Sequence, residues 1–176
     1  MKTCLLYGFI SALAGAFLIM GLYLLGFQAD EEKVRLSGLI SAPVGFGIGL
    51  ACTVLGVRAR RQQVPPVEGF TYGQAFGTAF LISAVGSVLS SAFTFVFLKF
   101  INPDLVDLII EIKIRQIEAS GVSGASLDRA QELTRLTSGP LAQTILGLVL
   151  GIIFGALVAS VVALFLKRAP EQPPAL

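Results

Sequence analysis

A chain of 176 residues with 55% apolar and 14% charged side chains carries more hydrocarbon than one small core can hide, because a domain of this size leaves much of its surface exposed. Its mean hydropathy of +0.82 makes lipid part of the solvent. The formal charge of +2 is too small for a nucleic-acid footprint, and the absence of His removes the commonest general base together with the commonest transition-metal ligand.

The first apolar run covers residues 4–27, long enough at about 1.5 Å per residue to cross a hydrocarbon core of about 30 Å. Ala12-Leu13-Ala14 resembles a signal-peptide cleavage site, but the apolar run continues well beyond it, so a retained span is expected. A short polar connection with Asp30, Glu31, Glu32, Lys33 and Arg35 leads into a second span, 36–57, which contains Pro43 beside Gly45, Gly47 and Gly49 and is expected to kink there. Arg58, Arg60 and Arg61 close it, and Pro65-Pro66 marks a loop. The third run, 72–101, exceeds the bilayer thickness and should tilt or begin as an interfacial turn. The last span is 141–166, stopped by Lys167 and Arg168 ahead of a Pro-rich tail, 169–176, expected to be disordered.

Between the third and fourth spans, residues 102–139 read as a helical hairpin. Asn102-Pro103-Asp104 has the pattern of an N-cap, a first-turn proline and a first-turn acid. Asp104, Asp107, Glu111, Arg115 and Glu118 then form one narrow polar stripe, and Leu105, Leu108, Ile109 and Ile112 lie on a wide apolar face available to the membrane surface or a partner. Gly121 and Gly124 break this helix, Ser126 should cap a second one running to about Thr137, and Gly139-Pro140 ends it. The fold expected is therefore all-α: a single membrane domain over 1–176, with four transmembrane helices and an extracytoplasmic amphipathic hairpin. Basic clusters at Arg58–Arg61 and Lys167-Arg168 directly abut span ends, which places both termini in the cytoplasm.

Chemistry is sparse. No charge falls near a span centre, and Lys99 sits where it can snorkel to the interface. Asp104, Asp107 and Glu111 could hold a cation but read better as a solvated face, and no phosphate loop, zinc spacing or nucleophile elbow occurs. Cys4 and Cys52 read as small buried apolar residues. The expectation is a non-enzyme with no metal, no cofactor and no nucleic-acid partner.

The strongest motif concerns packing. Gly147, Gly151, Gly155, Ala159 and Ala163 recur every four residues, a spacing that lets helix backbones approach closely. Gly45/Gly49 and Gly73/Gly77 repeat the step in the second and third spans, and Ser83, Ser87, Ser90 and Ser91 read as a packing surface. Tyr7-Gly8 and Tyr72-Gly73 open the first and third spans alike, a weak internal echo.

As a set, Gly69-Phe70-Thr71-Tyr72-Gly73-Gln74-Ala75-Phe76, then Phe100-Ile101-Asn102-Pro103-Asp104, the Gly121–Gly124 turn, Ser138-Gly139-Pro140 and the Gly-rich last span resemble the bacterial domain of unknown function 4199 family. That resemblance implies four helices in a bacterial inner membrane and no established activity. The functional expectation is an accessory or scaffold subunit of an inner-membrane assembly, contacting lipid and a membrane-protein partner or a second copy. The alternative is a transport or channel component for an uncharged or lipid-like solute.

Overall fold

A chain in hydrocarbon can satisfy its backbone N–H and C=O groups only internally, so the apolar runs become helices. The computed structural model describes residues 1–121 and 123–170. Four long helices, α1 (Lys2–Leu24), α2 (Glu31–Gln62), α3 (Tyr72–Val96) and, after two shorter ones, α6 (Pro140–Leu166), are long and apolar enough to cross a membrane. The intervening α4 (Asp104–Ala119) and α5 (Ala125–Ser138) are amphipathic.

Local chemistry sets the boundaries. Gly26 takes φ +76°, which ends α1 at Leu24, short of the expected 27. Asp30 starts α2 ahead of its apolar part: its carboxylate accepts the Lys33 amide at 2.9 Å and pairs with the Lys33 ammonium at 2.9 Å. The amide hydrogen bond, then the ammonium, hold this carboxyl below the usual aspartate range. Thr71 and Gln74 form a reciprocal capping box at α3, and a π-helical turn over Phe97–Ile101 extends that helix to the expected length.

Two expected caps are placed differently. Asn102 does not cap α4; it is buried and donates from Nδ2 to Gln28 Oε1 at 3.0 Å, so Pro103 takes the cap position. α5 begins at Ala125, one residue before Ser126, after Gly124 at φ +64°. Val122 of the expected turn and 171–176 of the expected tail lie outside the described residues.

α3 is the organising element. It packs most extensively on α6, next on α1, and also on α2, whereas α2 and α6 touch only lightly. One end of the bundle gathers the N-terminus, the α2–α3 loop and the C-terminal segment: Gln63 Nε2 donates to Thr3 Oγ1 at 3.2 Å, and Phe70 and Arg168 exchange backbone hydrogen bonds at 2.7 and 2.8 Å. Arg168 Nη2 also donates to Val64 O at 2.9 Å. We term this the basic end.

At the opposite, hairpin end, α4 folds over the helix termini. Leu105 and Val106 are buried with Phe97 and Leu98, and Ile19, Met20, Tyr23, Val34 and Ile109 pack around them. Arg115 reaches Glu31 at 3.4 Å and also pairs with Glu111, and Gln131 Nε2 of α5 donates to Glu118 of α4 at 3.2 Å. Large exposed apolar side chains, Phe17, Leu39, Leu55, Ile153, Leu157 and Phe165 among them, cover the outside of the spans. Such a surface is stable against lipid, and with four helices long and apolar enough to span, it is that of a membrane-compatible protein.

A hydroxyl-lined cleft between three spans

The α3–α6 contact is built from matching four-residue steps. A Cβ added to Gly155 would lie 2.7 Å from Ser83 Cβ, and one added to Gly151 would lie 2.7 Å from Ser87 Oγ. The same antiparallel register sets Ala79 level with Ala159 and Ala75 level with Ala163, and none of these four has any exposed surface. Small side chains thus bring two backbones together over three helical turns next to the basic end.

Continued toward the hairpin end, the register sets Ser91 level with Gly147, but there the helices have parted: a Cβ on Gly147 would meet nothing within 4 Å. Ridges formed by four-residue steps cross at an angle of roughly 40–50°, so two helices in contact at one end diverge at the other. On α2, Gly45 and Gly49 likewise have nothing within 4 Å of an added Cβ. Their missing side chains, with that of Gly147, leave a cleft of about 430 Å³ among α2, α3 and α6, with Ser11 of α1 at its back.

Its lining carries hydroxyls and no charge. Ser11, Thr53, Ser83, Ser87, Ser90, Ser91 and Thr94 supply them, with Leu50, Ile82 and Val158 between. Thr53 spends its donor on Gly49 O at 2.8 Å. Ser91 is only 9% exposed and borders the cleft. On the side that faces lipid, Phe46 of α2 and Phe154 of α6 meet edge to face with ring centroids 5.8 Å apart.

The elements described above, from the Thr71-capped third span through the hairpin to the Gly-rich last span, fall within a match to the family model for protein of unknown function (DUF4199), which covers residues 6–168. The chain belongs to the DUF4199 family. No curated protein and no solved structure matches it.

In this DUF4199 protein the residues singled out from the sequence fall into three groups. Gly151, Gly155 and Ala159 are at the α3–α6 contact; Gly45, Gly49 and Gly147 line the cleft; Gly73 and Gly77 have nothing within 4 Å of an added Cβ. The serines divide likewise: Ser83 and Ser87 press on glycines, whereas Ser90 and Ser91 border open space. On α4, Leu105 is buried inside the protein, and Leu108, Ile109 and Ile112 are half-buried.

Close approaches at Gly8 and Gly56 have no counterpart among the sequence expectations. An added Cβ on Gly8 would lie 2.8 Å from Val85 and 2.9 Å from Ile82 O; one on Gly56 would lie 2.5 Å from Ile82 Cδ1. Cys4, Gly8 and Ala12, all buried, are a further four-residue stripe that would have signalled the α1 contact. The Tyr7-Gly8 and Tyr72-Gly73 echo does not extend to packing, since Gly8 is tightly enclosed and Gly73 is open. Asp104, Asp107 and Glu111 border a recess of about 470 Å³ at the hairpin end, and among the described residues no group of three His, Cys, Asp or Glu is placed to hold a metal ion.

Proposed function

We propose that this protein is a non-enzymatic membrane component that binds an uncharged or lipid-like molecule in the cleft between α2, α3 and α6. The observation that carries this reading is the charge-free, hydroxyl-lined cavity of about 430 Å³, within the range of roughly 300–1,000 Å³ usual for ligand sites. A helix from a partner would need a continuous groove about 10 Å across, so a ligand fits the volume better. Charge would be costly at this depth, whereas a neutral head can exchange hydrogen bonds with hydroxyls that both donate and accept.

The setting is a bacterial inner membrane, with the basic end in the cytoplasm and the α4–α5 hairpin outside. Arg58, Arg60, Arg61, Lys167 and Arg168 cluster at one end of the bundle, as the bias of cytoplasmic loops requires. Reporter fusions after Arg61 and after Lys167 should read cytoplasmic, and a fusion at Gly121 should read external; a cytoplasmic signal at Gly121 would reverse the orientation. A second reading, an accessory subunit of a larger assembly, is favoured by α5, whose Leu133 and Leu136 are 61% and 67% exposed.

The cleft reading is tested by extracting lipids that co-purify with the protein in mild detergent. Gly49→Leu with Gly147→Leu puts bulk into the cleft at two positions where the first side-chain carbon meets nothing within 4 Å. A neutral lipid enriched with the wild type and lost from this variant is the expected result. An identical lipid profile, with the variant still folded, would remove the cleft from consideration.

A further inference from the structure

We infer that the cleft takes an amphiphile with an uncharged, hydrogen-bonding head and a hydrocarbon tail, admitted sideways from the bilayer between α2 and α6 past Phe46 and Phe154. This rests on the cleft-binding reading and adds the route and the ligand class.

Four observations support it. The way in from the basic end is shut, because Ala75, Ala79, Ala159 and Ala163 fill the α3–α6 contact with no exposed surface. At the side, the cleft is flanked by two aromatic rings in edge-to-face contact that are themselves 48% and 54% exposed.

The stretch of α2 that forms one jamb is pinned at its ends, by Ser37 and Val34 on one side and Cys52 on the other, and loosely held between them. From Gly38 to Ala51 no residue is buried, whereas Cys52, Thr53, Gly56 and Val57 are. Within that stretch Pro43 provides no N–H for the carbonyl of Leu39, and Gly45, Gly47 and Gly49 have no side chains to brace it. An element with few buried contacts and an interrupted hydrogen-bond ladder opens at low free-energy cost.

The interior fits a head and not a whole lipid. A volume of about 430 Å³ leaves the chains outside, which a lateral mouth allows and an axial one does not. Ser91, nine-tenths buried at the cleft wall, is placed to bond that head, together with Ser90 and Thr94. No basic side chain lines the cleft, so an anionic phosphate would be left uncompensated.

The test uses the full-length protein in nanodiscs with a photoreactive diacylglycerol and, in parallel, a photoreactive phosphatidylglycerol. In a Cys4→Ala, Cys52→Ala background, Phe46→Cys and Phe154→Cys are joined by a short, cleavable bis-maleimide. Before joining, diacylglycerol should label peptides from residues 45–53, 83–94 and 147–158, and phosphatidylglycerol should not. After joining, that labelling should fall to background and return on cleavage, whereas diacylglycerol loaded beforehand should stay trapped. Undiminished labelling of the joined protein would refute the lateral route while leaving the cleft reading intact. Equal labelling by phosphatidylglycerol would refute the uncharged class. Absence of cleft labelling in the wild type would refute both this inference and the reading beneath it.

Discussion

The two halves of the α3–α6 pair share one sequence device and use it in opposite ways. Near the basic end, Ala75, Ala79, Ser83 and Ser87 meet Ala163, Ala159, Gly155 and Gly151 in close register. One turn further on, Ser91 and Gly147 continue the same spacing, but the helices have diverged and nothing fills the gap. A four-residue stripe of small residues therefore permits a close approach without ensuring one. Its other product is empty volume, wherever the crossing angle carries the partner away. What separates the halves is the third wall, since α2 has no buried residue between Ser37 and Cys52.

Several variants would sharpen or break this contrast. The largest effect is expected at Gly8, where the obstacle is partly backbone: Gly8→Leu drives a side chain into Val85 and the Ile82 carbonyl. It should cost more than about 3 kcal/mol, or prevent folding, read as thermal unfolding in nanodiscs. Gly151→Leu comes next, at about 1–3 kcal/mol, because the Ser87 hydroxyl in its way can partly yield. Leu150→Phe, one residue away at a position 55% exposed to lipid, should be close to neutral. Equal tolerance at 150 and 151 would mean that the stripe does not hold the helices together.

Gly77→Ala should be neutral or stabilising by up to about 1 kcal/mol, since alanine is the better helix former and its methyl meets nothing within 4 Å. The smallest effect concerns the start of α2, which tethers the loose stretch. Asp30→Ala removes the acceptor of the Lys33 amide and should lower the melting temperature slightly at neutral pH. Because the folded carboxyl titrates below its usual range, this contribution is present above the ordinary aspartate pKa and lost as pH falls through the lowered one. The difference between wild type and variant should therefore vanish in acid.

The four spans are legible from the sequence because uninterrupted apolar length is a strong signal and backbone satisfaction in lipid leaves helix as the outcome. The α4–α5 pair is legible from its polar stripe. The cleft is not. Gly147 and Gly155 carry identical local signals, and only the divergence of α3 and α6 gives one a neighbour and the other a void. Asn102 shows a similar limit: in sequence it has every mark of a helix cap, but its amide goes to Gln28, 74 residues earlier in the chain. The burial of Leu105 and Val106 under α4 depends on where the π turn at Phe97–Ile101 delivers the chain, which no periodicity reveals.

The most direct measurement sets Gly147→Leu beside Gly155→Leu, each unfolded thermally in the same nanodiscs. At Gly155 the first carbon of the new side chain lies 2.7 Å from Ser83 Cβ, and at Gly147 that first carbon meets nothing within 4 Å. The expected result is a melting temperature near that of the wild type for Gly147→Leu and a loss of several degrees for Gly155→Leu. Equal losses at the two positions would mean that α3 and α6 stay together along their whole length, and that there is no cleft to fill.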